Sequence, residues 1–156
     1  MRPFVSGLVL AAGASTRLGQ PKQLLPFGAT TLLGTVVSEA RAASALDEVI
    51  VVLGGAAAEV RRGVELTGAK VVENPEFADG CSSSYPTREV HPLVFARALF
   101  ETLGALRGDK AAWKIVDAHR DWVRPVPVDR PHPRDVNTRE EYEALLRNAG
   151  RSDAGD

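Results

Sequence analysis

The sequence predicts an α/β fold: a mostly parallel, Rossmann-like sheet with flanking helices. Two observations predict it. Strand and helix patterns alternate through the first half, and the first apolar strand runs straight into a turn of small residues, as parallel strands do where they meet a ligand at their carboxyl ends. Val5 to Ala11 reads as a strand, apolar apart from Ser6 and Gly7, and its continuous run from Leu8 to Ala11 is the pattern of a buried parallel strand. Thr31 to Ser44 has helical spacing, with Leu32, Leu33, Val36, Val37, Ala40 and Ala43 on one stripe. Val49 to Leu53 is a second strand, Gly54-Gly55 breaks to a short helix over Ala56 to Arg62, and Lys70 to Glu73 is a third strand that stops at Asn74-Pro75. This is βαβ order, which requires a parallel sheet and right-handed crossovers.

The second half reads differently. Pro92 to Leu106 is an amphipathic helix with Leu93, Ala96, Leu99, Phe100, Leu103 and Leu106 on its apolar face. Asp109 caps a further helix, Lys110 to His119, with Trp113 and Val116 inward. Val123 to Val128 reads as a strand in which Pro125 and Pro127 remove two donors on one side, placing it at an edge or a bulge. Thr138 and Glu141 have capping-box spacing for a last helix bearing Tyr142, Leu145 and Leu146, followed by a polar tail from Asn148 to Asp156. Residues 1–147 are therefore expected to form a single domain, with no internal repeat.

With 156 residues, 44% of them hydrophobic, and a net charge of −1, the chain can bury a core of its own and lacks the basic excess of a nucleic-acid surface. The single Cys81 forms no intrachain disulfide, which suits a cytoplasmic protein. Arg2 and the run from Phe4 to Ala12 superficially resemble a signal peptide. That run is interrupted by Ser6 and Gly7 and leads into the turn, so a strand explains it better, and no run has the length of a membrane span.

The chemistry is concentrated in the turn Ala11-Ala12-Gly13-Ala14-Ser15 and the Arg17 and Lys22 that follow. Small residues let backbone N–H groups approach an anion, and the two cations supply charge, so the segment suits phosphate. It is neither a Walker A loop nor a Gly-x-Gly-x-x-Gly fingerprint. His91, His119 and His132 lack zinc spacing with one another or with Cys81, and Ser82-Ser83-Ser84 lacks the Gly-x-Ser-x-Gly frame of a hydrolase nucleophile. Trp113 and Trp122 read as core or half-buried packing residues rather than stacking platforms.

The stretch from Leu8 to Gly28, with Gly13, Ser15, Arg17, Gly19 and Lys22 in register, resembles the signature segment of MobA-like NTP transferases, most closely their molybdenum cofactor cytidylyltransferase-like branch. The resemblance implies a nucleotide-diphospho-sugar transferase-like fold. It also implies Mg²⁺-dependent transfer of a cytidylyl or guanylyl group from CTP or GTP to a molybdopterin-type or other phosphorylated acceptor. By the same resemblance Arg17 and Lys22 act on the triphosphate, Ala11, Ala12, Gly13 and Ser15 line it, and Asn74, Gly80 and Ser83 lie toward the base. His91-Pro92 and Gly108-Asp109-Lys110 fall on the acceptor side, and Asp135 in Asp135-Val136-Asn137-Thr138 helps hold the metal.

One family element is missing, so the sheet is expected to be incomplete in its centre. The family has a helix and a strand after its Ser-rich segment, ending in an Asp-x-Pro metal motif. Here six residues separate Ser84 from His91, spanning at most roughly 20 Å, whereas such a crossover takes about 30 residues or more. No Asp-x-Pro occurs in residues 80–130. Two readings follow: a transferase, or an internally deleted, inactive paralogue that at most binds nucleotide or associates with a partner. An unpaired sheet edge also predicts self-association.

Overall fold

The computed structural model describes residues 4–74, 97–99, 101–102, 111–123 and 135–152. The chain divides into two compact units, Met1–Phe77 with Arg134–Asp156, and Ala78–Pro133.

In the first unit, β1 (Ser6–Ala11) leads through 3₁₀ turns at Thr16–Leu18 and Lys22–Leu24 into a small hairpin, β2 (Pro26–Phe27) and β3 (Thr30–Thr31). The hairpin turns at Gly28, whose φ of 58° is what the first central residue of so tight a turn requires. Helix α1 (Leu32–Ala42), β4 (Glu48–Leu53), α2 (Ala57–Gly63) and β5 (Lys70–Glu73) follow. Thr31 caps α1, its Oγ1 accepting from the Gly34 N–H at 3.0 Å.

The described strands form a parallel sheet in the order β1-β4-β5. Val9 lies opposite Val51, which lies opposite Val71, so these residues share one face. Val49, Val51 and Leu53 on that face pack with Leu33 and Val37 of α1 and with Ala57 and Val60 of α2. The other face carries Leu8 and Leu10 of β1, 59% and 65% exposed, beside half-buried Ile50 and Val52. β1 is the edge of the described sheet.

The expected elements of this unit appear within about two residues of their bounds. Two differ in kind. The β2–β3 hairpin lies where no strand was expected, because strands of two residues leave no period to read. The last helix, here numbered α4 (Arg139–Ser152), continues past Asn148, where a polar tail was expected to begin. Arg147 and Asn148 are exposed there, and polar residues do not break a helix that keeps them in water.

In the second unit the expected helix Lys110 to His119 appears as α3 (Ala111–Ala118), with Ile115 buried, followed by a 3₁₀ turn at Arg120–Trp122. Trp122, expected as a core or half-buried packing residue, is 53% exposed, and its ring packs on that of His119 at 3.7 Å. The Arg97–Leu99 segment, inside the expected Pro92 to Leu106 helix, is a 3₁₀ turn. The expected strand beyond Val123, the Ser-rich segment and His91 lie outside the described residues. No described helix is long and apolar enough to cross a membrane.

Candidate functional site

The site begins where β1 ends. Ala11, its last residue, is buried, Ala12 is half-buried, and Gly13 and Ala14 stand exposed at the carboxyl edge of the sheet. A Cβ on Gly13 would meet no atom of the described residues within 4 Å, so none of these fills the space above the turn. Ser15 closes the turn at φ 52° and ψ 35°, a left-handed conformation that costs a non-glycine residue on the order of 1–3 kcal/mol. Its Oγ accepts from the Lys22 N–H at 3.0 Å, and its carbonyl from the Leu18 N–H at 2.9 Å, which hold it in that conformation.

The Lys22–Leu24 turn sends neighbouring side chains in different directions. Gln23 turns inward and is only 4% exposed. Its Nε2 donates to the Ala11 carbonyl at 2.6 Å and to the Gly13 carbonyl at 3.1 Å. Its Oε1 is buried without a donor among the described residues, an arrangement that costs about 1–3 kcal/mol. Lys22 instead extends to the C-terminal segment, where Nζ donates to the Val136 carbonyl at 3.2 Å, across 114 residues of sequence.

That segment docks on the same structure through an apolar cluster. Leu25, Val136 and Tyr142 are buried together, with Leu18, Leu32 and Leu145 around them, and the Tyr142 hydroxyl donates to the Pro26 carbonyl at 2.6 Å. The expected capping box is present: the Glu141 N–H donates to Thr138 Oγ1, and the Glu141 carboxylate accepts from the N–H groups of Asn137 and Thr138 at 2.7 and 2.9 Å. The Asn137 N–H, then the Thr138 N–H, hold the Glu141 carboxyl below the usual range, and the charge of Arg17 adds to the effect. Arg17 and Lys22 are thus both drawn toward residues 136–141, next to the exposed Asp135.

The structure therefore gathers Ala11, Ala12, Gly13, Ser15, Arg17, Lys22 and Asp135 on one side of the first unit. Asn74 lies at the carboxyl end of β5, its N–H donating to the Leu53 carbonyl at 2.8 Å, two strand positions or roughly 10 Å from β1. Gly80 and Ser83 lie outside the described residues. Among the described residues no three His, Cys, Asp or Glu side chains converge as a metal cage. A concavity of about 450 Å³ near the amino end of β5, lined by Arg61, Arg62, Glu65 and Val71 among others, shares no residue with the turn.

Gln23 is the residue that sequence reading missed. Its signal was present: a polar side chain directly before the apolar pair Leu24-Leu25, in a segment that otherwise turns inward.

Comparison with known proteins places these residues in context. Residues 7–85 match the profile of the MobA-like NTP transferase domain. A homologue of Mycobacterium tuberculosis Rv0371c from Mycobacterium sp. strain JC1 is similar in structure, with a TM-score of 0.78 and 35% identity over 94% of this chain and 97% of that one. Rv0371c from M. tuberculosis H37Rv gives a TM-score of 0.77 and 34% identity over 94% and 100% of the two chains. A manganese complex of Rv0371c gives 0.74 and 32% over 93% and 99%. In sequence, nicotine blue oxidoreductase of Paenarthrobacter nicotinovorans is 39% identical over 84 residues, which is 53% of this chain and 41% of that protein.

Proposed function

Because the chain belongs to the MobA-like NTP transferase family, we propose that it binds a nucleoside triphosphate at the turn after β1 and transfers its nucleotidyl group, cytidylyl or guanylyl, to a phosphorylated acceptor of the molybdopterin type. The observation that supports this reading is the Lys22–Val136 bond, which ties the ammonium that follows the turn to the segment containing Asp135. The N–H groups of the turn, with Arg17 and Lys22, take the β- and γ-phosphates, and Ser15 keeps its hydroxyl proton to donate. An acceptor phosphate oxygen attacks the α-phosphorus, and the bond to the departing pyrophosphate breaks as the new P–O bond forms. Arg17 and Lys22 meet the charge that gathers on that leaving group. Asn74, with Gly80 and Ser83, is assigned to the base.

The donor set fits Mg²⁺ in its usual manner, one or two carboxylates with waters and substrate phosphates, and Asp135 is the carboxylate that would hold it. When bound, the ion neutralises phosphate charge. The manganese complex of Rv0371c supports a divalent ion in this role. A cytoplasmic location fits a reaction that draws on nucleoside triphosphates.

A second reading rests on the six residues between Ser84 and His91, too few for the helix and strand that carry the family's metal motif: the chain binds nucleotide without transferring it. The relative named as an oxidoreductase supports treating the shared half as a binding platform whose reaction is set elsewhere.

Thermal unfolding with Mg²⁺ and CTP or GTP tests both. Ligand at 100 times its Kd adds about 2.7 kcal/mol, a shift of roughly 5–10 °C for a domain of this size. A shift with one nucleotide, lost in Lys22→Ala, supports the site, and pyrophosphate release on adding acceptor separates transferase from binder. No shift with either nucleotide would overturn both.

A further inference from the structure

We infer that Gln23 is a positioning residue for the phosphate turn: through its single amide nitrogen it holds the carbonyls of Ala11 and Gly13, and so fixes which way the intervening N–H groups point. This rests on the reading of the turn as a phosphate site. Both carbonyls can only accept, so both amide protons must face them, and the orientation of the side chain is dictated by chemistry. The two bonds tie the last residue of β1 to the residue two further on, across the first bend of the turn. Each peptide plane fixed at its carbonyl fixes the N–H on its other side: the Ala11 plane carries the N–H of Ala12, and the Gly13 plane that of Ala14. Those are N–H groups an anion would take.

The rest of the Lys22–Leu24 turn works in the same direction. The Lys22 N–H holds Ser15 in its left-handed conformation, so adjacent residues grip both ends of the 11–15 segment. Gln23 also keeps a buried Oε1 without a donor among the described residues. A side chain selected for packing alone would carry no such atom, and Met would fill nearly the same volume.

The test compares the wild type with Gln23→Met, which keeps the volume and loses both donors, and Gln23→Glu, which keeps the shape and sets acceptor against acceptor. Two quantities are read well below each protein's Tm: the Kd for inorganic tripolyphosphate, and the backbone order parameters at Gly13 and Ala14 without ligand. The expected result is a tripolyphosphate Kd about tenfold weaker in Gln23→Met and weaker again in Gln23→Glu, with order parameters falling from about 0.85 toward 0.6. Equal Kd and equal order parameters in wild type and Gln23→Met would overturn the inference. So would a weaker Kd with the turn as ordered as before. If the wild type binds no tripolyphosphate, the phosphate reading fails, and the order parameters still decide whether Gln23 holds the turn.

Discussion

The sheet and the clasp beside it are held by different physics. The β1-β4-β5 sheet with α1 and α2 buries ten apolar residues in one cluster, among them Val51 and Leu53 with no exposed surface. The clasp, formed by the turn after β1, the Lys22–Leu24 segment, the hairpin, Val136 and the start of α4, has three buried apolar residues among those described and depends on polar bonds from Gln23, Lys22 and Tyr142. Burial is proportional to area and indifferent to direction, whereas hydrogen bonds fix direction and contribute little net stability. The sheet therefore supplies the free energy of the fold and the clasp the geometry of the site, so substitutions in the two regions should fail differently.

The largest effect is expected in the sheet. Leu53→Ala should cost about 2–5 kcal/mol in denaturant unfolding, because a side chain with no exposure leaves a cavity. Leu10, two-thirds exposed on the opposite face of the same sheet, is the control: Leu10→Lys should change stability by no more than about 0.5 kcal/mol. If the self-association expected of an open edge uses this face, light scattering should show Leu10→Lys smaller than wild type. Equal costs for the two variants would mean that the two faces are covered alike.

The same division explains what the sequence made legible. β4 could be read because Val-Ile-Val-Val-Leu leaves no alternative to a buried strand, and its register against β1 and β5 follows from that burial. The turn at Gly13 and Ser15 could be read because its small residues and following cations stand at the spacing of a family signature. The open face of β1 could not, since Leu8 and Leu10 look the same in sequence whether covered or exposed. Nor could the clasp. Lys22 finds Val136, and Tyr142 finds Pro26, across more than 100 residues, and no local pattern encodes such a meeting. Sequence named Lys22 and the segment of Asp135 separately; the bond from Lys22 to the Val136 carbonyl is a property of the fold.

A smaller effect is expected from Tyr142→Phe, which removes only the hydroxyl that donates to Pro26. Pro26 is exposed, so water can replace the lost donor, and the cost should be about 1 kcal/mol. Its effect on function should exceed its effect on stability, because Tyr142 anchors the helix that directly follows Val136, the partner of Lys22. Measured where both variants are folded, nucleotide affinity should weaken in Tyr142→Phe and stay at the wild-type value in Leu53→Ala. The reverse pattern would mean that the sheet, and not the clasp, sets the geometry of the site.

The smallest effect tests the polar side of the comparison through pH. The Glu141 carboxyl is held below its ordinary value first by the Asn137 N–H, then by the Thr138 N–H. A depressed folded value means that the carboxylate's contribution is complete above the unfolded glutamate value, about 4.3, and is lost as pH falls through the lower folded value. Wild type should therefore lose more stability than Glu141→Gln between neutral pH and that acid range, since the amide can still accept a bond but does not titrate. Parallel curves would show that the cap contributes no proton-linked stability. Arg17 contributes to the shift through charge alone, which salt screens at this exposed position, whereas the two N–H donors are in direct contact. The difference between the two proteins should accordingly persist at high salt; its disappearance there would move Glu141 from a hydrogen-bonded cap to a partner of Arg17.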